Sequence, residues 1–309
     1  YTGGSVRFGT AGATHAQDFG ISGFGARTDV KTGALDFRAD TTLSGAVTLV
    51  NDARICVSDA VTATLARTMT GAGDLYLGGE GTLVVPGVDL AGDVHVEGNV
   101  TTTGSLITGE RFLFVDGTLT FANAADITVD AKVLGSGRIV LAGTGKVDFA
   151  DLSVFDGTVD LAGRDATIGA LFGIPTIANT SETAATLTVA GSTNAAYFGT
   201  IGGGVSLAVG GRFRLGATAV LPATAALSLS GGEIGLYEPA TVASLSGAGK
   251  VSGAALTVTG ATTPAEGLVP AIAFDAYPSL ASIVGNWRLK RVGVGGALVP
   301  RRGTLLVIR

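Results

Sequence analysis

"GAGDLYLGGEGTLVV" spans residues 71–85 and "GSGRIVLAGTGKVDF" spans residues 135–149. Each writes Gly-x-Gly, alternates apolar residues, writes Gly-x-Gly again and alternates once more. Alternation with a period of two marks a strand with one buried face. Glycine beside such strands marks a corner, where positive φ or close backbone approach is needed. The phrase therefore reads as corner, strand, corner, strand.

Working outward, the same short words recur: "ALDFRAD", "VTLVND", "DVHVEG", "GTLTFAN", "DITVDA", "TVDLAG", "ATLTVAG", "VSLAVGG" and "ALSLSGG". These are four- to six-residue strands bounded by Gly, Asn or Asp. Helical periodicity cannot persist where a glycine falls every six residues or so. The chain reads as all-β. Spacing then chooses between a sandwich and a solenoid. "LAGDVHVEG" (90–98) aligns with "FDGTVDLAG" (155–163) after one inserted residue, placing Val94 and Val96 on Val159 and Leu161. A third copy of the phrase begins at Gly247, 112 residues after Gly135, and the first two lie 64 apart. These intervals are about three and five multiples of a 20–25-residue coil. The spacing predicts a parallel β-solenoid of roughly 13 to 14 rungs, about 65 Å long at about 4.8 Å per rung. Val94 and Val96 should point inward, and His95 and Glu97 outward.

Composition narrows the function classes. Glycine accounts for 49 of 309 residues, far above the usual share of about 7 %, and without the three-residue period of collagen. Apolar residues reach 46 %, which excludes disorder through lack of hydrophobicity. One cysteine, Cys56, excludes an intrachain disulfide and a thiolate metal cluster. Its neighbours Ile55 and Val57 make it read as a buried, inert thiol. No apolar run is long enough to span a bilayer as a helix. A net charge of −5 without basic-aromatic interleaving speaks against nucleic acid. The first residue is Tyr1, as expected after removal of a signal peptide or in a piece of a longer chain.

The segment "LAGRDATIGALFGIPTIANTSETAATLTVAGSTNAAYFGTIGGGVSLAVGG" (161–211) resembles the autotransporter-associated β-strand repeat of bacterial surface proteins. "EPATVASLSGAGKVSGAALTVTG" (238–260) is similar, and "YTGGSVRFG" (1–9) looks like the opening of such a repeat. The resemblance implies a right-handed parallel β-helix, exported to the surface of a Gram-negative-type cell or beyond it. No room remains in 309 residues for the C-terminal membrane barrel of a full autotransporter. The ending "NWRLKRVGVGGALVPRRGTLLVIR" looks instead like that of repeat-bearing surface proteins from the Planctomycetes–Verrucomicrobia group.

Candidate chemistry is sparse. Asp93, His95 and Glu97, with Asp89 in phase, would make a metal site or an acid–base pair if they converged. The aligned Thr158, Asp160 and Ala162 argue that the pattern asks only for outward polarity. The run Asp148, Asp151, Asp156 and Asp160 lacks the Gly-Gly-x-Gly-x-Asp nonapeptide of calcium-binding rolls and reads as loop carboxylates. The Gly-x-Gly phrases precede strands, not the helix a dinucleotide needs. His15 reads as a surface loop histidine. Aromatics are 6 %, and Trp287 is the one tryptophan.

The expectation is a non-enzymatic extracellular structural protein without cofactor or metal. Residues 1–284 would form the solenoid and 285–309 a basic C-terminal cap or assembly element. Its Arg288, Lys290, Arg291, Arg301, Arg302 and Arg309 stand without an acidic residue, while the rest of the chain carries 14 basic and 25 acidic residues. That polarity favours a homo-oligomer joined end to end, a filament or surface layer, with a cell-envelope component or glycan as further partner. The alternative is a carbohydrate-binding or carbohydrate-cleaving β-helix, an adhesin or polysaccharide lyase or hydrolase. A groove lined by Asp or Glu with Arg and Tyr would favour that alternative; a smooth Thr, Ser and Gly exterior would favour the first reading.

Overall fold

The computed structural model describes residues 4–25, 32–106, 111–266 and 271–301. These residues form strands and turns only, and parallel pairing winds them into a β-solenoid of about 12 turns, close to the expected rung number. Pairing falls into sheets of 24 and 10 strands, and the larger sheet covers two of three sides. Strand Val47–Val57 shows how. Its first residues pair with Phe19–Gly23, and after a corner its last pair with Leu35–Phe37.

Each side carries an inward column, one residue per rung. On the first side Leu35, Ile55, Leu77, Val96 and Val115 lie in register. The second side stacks Ala63, Leu83, Val100, Leu119, Ile139, Val159, Ile177 and Ile201. The third stacks Val129, Phe149, Ile168, Val189, Val209 and Leu229. All are buried, and together they form one continuous core. Val94 and Val96 are fully buried while His95 lies half-exposed and Glu97 exposed, as the alternation required.

Glycine makes many of the corners, and Ala60 and Ala162 turn two others with positive φ. Gly98, Gly117, Gly137 and Gly157 stack where the first side turns into the second. A Cβ on any of the last three would fall on the carbonyl oxygen of the glycine one rung back. Gly79 and Gly135 turn the same corner with φ of 100° and 104°, values that side-chain-bearing residues rarely adopt.

The glycine-punctuated phrases at 71–85 and 135–149 are not equivalent in space. Gly71 ends a third-side strand, so the words that follow, Leu75–Gly79 and Thr82–Val85, lie on the first and second sides. Gly135 ends a first-side strand, and its words run over the second and third. The Gly247 copy shares the first phase. Val94 and Val159 likewise point inward from different sides.

After Ser279–Ile283 the parallel coil gives way to an antiparallel hairpin of Trp287–Val292 and Gly295–Pro300. Its second strand pairs antiparallel with Ile272–Phe274, the last parallel strand of the first side. Trp287 and Leu298 enter the core there. The tryptophan plugs the end of the coil.

Candidate functional site

The residues of "DVHVEG" do three separate jobs. Asp93 sits at the corner before the first side, in a column with Asp52 and Asp74. Asp52 Oδ1 accepts the Asp74 N–H (2.9 Å), Asp74 Oδ1 that of Asp93 (2.8 Å), and Asp93 Oδ1 that of Phe112 (3.1 Å). Corner amides fall outside the strand ladder and must find acceptors elsewhere. The carboxylates bracket each rung to the next. His95 stacks between Tyr76 (4.2 Å, 9°) and Phe114 (4.4 Å, 2°) on adjacent rungs. Glu97 reaches back two rungs to Arg54, at 3.0 Å, over Gly78, where a Cβ would crowd its carboxylate. Arg54 also lies over the rings of Phe24 and Tyr76. Asp89 stands on the third side, away from this group.

Three of the other four carboxylates, Asp148, Asp151 and Asp160, are also engaged by neighbouring donors. Asp148 accepts the Thr167 N–H and pairs with Lys146 at 2.9 Å; Asp151 accepts the Ser153 N–H and pairs with Lys132. Asp156 is exposed. Asp160 is not an open outward residue but an enclosed one, 1 % exposed, and it accepts from Arg138 (2.6 Å), Thr180 Oγ1 (2.7 Å) and the Thr180 and Ala162 amides. Burial pushes its carboxyl up, and the Thr180, Arg138 and Ala162 hydrogen bonds outweigh that and hold it below the ordinary value. Among the described residues no cluster of three or more His, Cys, Asp or Glu is arranged for a metal ion.

Cys56 is 1 % exposed, and burial pushes its thiol up to about 11. His15 lies on a strand, not in a loop, with its ring 5.1 Å from that of Phe8. No helix among the described residues is long and apolar enough to cross a membrane.

Within the basic C-terminal segment, Arg288, Lys290 and Arg291 are exposed on Trp287–Val292, the outer strand of the hairpin. Arg291 lies over the Tyr277 ring at 5.2 Å. Arg301 instead ties the hairpin base, donating through Nε to Trp287 O (2.9 Å) and through its amide to Asn286 O (2.8 Å). Arg302 and Arg309 lie outside the described residues.

The exterior is not smooth. On the first side, near the C-terminal end, a groove of about 680 Å³ crosses four rungs. Arg212, Glu233 and Lys250 form an outward column of alternating charge, and Arg214, Gly235 and Ser252 form the next. Gly235 supplies a bare floor: a Cβ there would meet Arg214 Cγ at 3.1 Å and Ser252 Oγ at 3.3 Å. Glu233 pairs with Arg212 at 3.3 Å, and Lys250 with Asp275 at 3.1 Å. Tyr237, 61 % exposed, stands at the edge. The Ser252 hydrogen bond lowers the Glu233 carboxyl, burial opposes it, and Lys250 and Arg212 lower it further. An acid so held is ionised at neutral pH and suited to accepting hydrogen bonds, not to donating a proton.

Sequence reasoning missed this groove, although charge alternation 21 and 17 residues apart in Arg212, Glu233 and Lys250 was its signal. No family model, no curated protein and no solved structure matches this chain.

Proposed function

We propose that this chain is the rod of a non-enzymatic, exported bacterial surface protein of the autotransporter-associated repeat type, whose copies associate end to end. The observation that carries the structural reading is the use of its carboxylates. Asp18, Asp40, Asp52, Asp74, Asp93, Asp116, Asp126, Asp148 and Asp165 each accept a backbone N–H from the next rung. Nine carboxylates used to stitch rungs together support a structural role for the acidic residues of this chain. Association would run through the exposed Arg288, Lys290 and Arg291 against the acidic body of the next copy. Cationic side chains on an outer strand oppose simple edge-to-edge pairing, so the contact is electrostatic.

Sedimentation and electron microscopy at low and high salt test the reading with wild type and an Arg288→Glu, Lys290→Glu variant, which spares the hairpin strut Arg301. Wild type should associate at low salt and dissociate near 1 M, where the Debye length is about 3 Å; the variant should stay monomeric. Monomers under every condition overturn the assembly, and cleavage of any polysaccharide overturns the non-enzymatic reading. The groove favours a second reading, carbohydrate binding, because it combines Glu233, Asp275, Arg214 and the exposed Tyr237.

A further inference from the structure

The groove is lined by two cations, Arg214 and Lys250, and two anions, Glu233 and Asp275. Glu233 is engaged by Arg212 from outside the lining and Asp275 by Lys250, which leaves one lining cation over. Arg214 is half-buried in the wall of the groove, and among the described residues it has no hydrogen-bond or ion-pair partner. A guanidinium carries five donors in a planar fork that fits a carboxylate or other oxyanion. Gly235 keeps the space beside it open, and Ser252 brings a hydroxyl to the far side of that space. At about 4.8 Å per rung, four rungs give a polar channel roughly 14 Å long. Its rim offers the exposed ring of Tyr237. A ring face for an apolar surface, fixed acceptors and donors for hydroxyls, and one uncompensated cation together describe a specific kind of ligand.

We infer that the groove binds an oligosaccharide bearing an anionic group, carboxylate or sulfate, with Arg214 as the anion's anchor, Ser252 and Glu233 as hydroxyl partners and Tyr237 as the stacking surface. The inference rests on the carbohydrate-binding reading and adds the charge of the ligand to it. The strand ladder fixes the spacing of Arg214, Gly235 and Ser252, so the backbone geometry of the site exists before the ligand arrives. The overall charge of −5 repels polyanions at long range, so affinity must come from local contact at Arg214.

Isothermal titration with three probes of matched length tests it: oligogalacturonate, a sulfated galactan oligomer and a neutral galactan oligomer. Wild type should bind at least one acidic probe about tenfold or more tightly than the neutral one, the discrimination expected of a charged hydrogen bond. Arg214→Ala should abolish that preference, and Arg214→Lys should restore part of it. Gly235→Ala, which crowds Arg214, should weaken the acidic probe, and Tyr237→Ala should weaken binding in general. Thermal melts confirm that each variant is folded. Equal binding of acidic and neutral probes, unchanged in Arg214→Ala, overturns the inference and leaves carbohydrate binding intact. Binding of none of the three overturns both.

Discussion

Leu119 sits in the middle of the second-side column, between Val100 one rung back and Ile139 one rung ahead, and is fully buried. Truncating it to Ala removes three carbons. At about 0.8 kcal/mol per methylene, the transfer cost alone is about 2.4 kcal/mol. The remaining cost depends on how far the site can collapse. Both neighbours are β-branched and stiff at χ1, and their backbones are fixed by ladder hydrogen bonds on two sides. A residual void of about 50 Å³ would add about 1.2 kcal/mol at about 24 cal/mol per Å³. Leu119→Ala should therefore cost about 3–4 kcal/mol. Thr120→Ala, next in sequence but half-exposed on the outer face, should stay within about 0.5 kcal/mol. Because each rung contacts only its neighbours, the loss should be local. Hydrogen exchange should report it as lost protection in Asn99–Thr102, Thr118–Phe121 and Arg138–Leu141, alongside a lower melting temperature. A cost below about 1 kcal/mol, or a Thr120 variant as damaged as the Leu119 one, would refute the assignment of inner and outer faces.

Asp160 has a lowered carboxyl, so its contribution to stability should be complete above its unfolded value of about 3.9 and decline as pH falls through the lower folded one; Asp160→Asn should flatten that part of a melting-temperature profile between pH 2 and 7. Gly137→Ala puts a Cβ against the Gly117 carbonyl, whereas a Cβ at Gly203 meets nothing within 4 Å; thermal melts should show a large loss for the first and little for the second. Cys56, with its thiol raised to about 11, should be nearly inert to a thiol reagent at pH 8 in the folded protein and titrate as one thiol in denaturant, and rapid native labelling would contradict its burial.

Much of the fold is legible because its rules are local. Alternation places Val94 inward and His95 outward whichever side the strand joins. The same count would turn Cys56, between inward Ile55 and Val57, outward, yet it is buried in the column it shares with Asp36 and Gly78. The site is less legible because its partners lie one rung away, at distances that vary. Asp74 becomes a bracket only when Asp93 arrives 19 residues later, and Asp52 only when Asp74 arrives 22 residues later. The groove depends on an absence, since Gly235 looks like one more corner glycine until Arg214 and Ser252 are set beside it. Asp160 looks outward by alternation, yet Arg138 and Thr180 enclose it from neighbouring rungs.

The displacement of the two opening phrases by one side has a physical cause in this architecture. All three sides require the same things: an inward apolar residue at every second position, and a tight passage at the corner. The Leu75–Gly79 word fills the first side, and Arg138–Leu141 after an equivalent Gly-x-Gly fills the second, with Leu75, Leu77, Ile139 and Leu141 all buried. Words of this kind are therefore found on more than one side, and the corner before them turns at glycine or, before Thr62–Leu65, at Ala60 with φ of 57°. Register along the axis is held by what stacks on the same column, such as Gly98, Gly117, Gly137 and Gly157, where each carbonyl leaves no room for a Cβ above it. The repeating unit that this fold conserves is thus a corner and a strand, about a third of a turn. Sequence periods between similar phrases need match whole corners, not whole rungs. That is why an interval of 64 residues joins two phrases that never stack in one column.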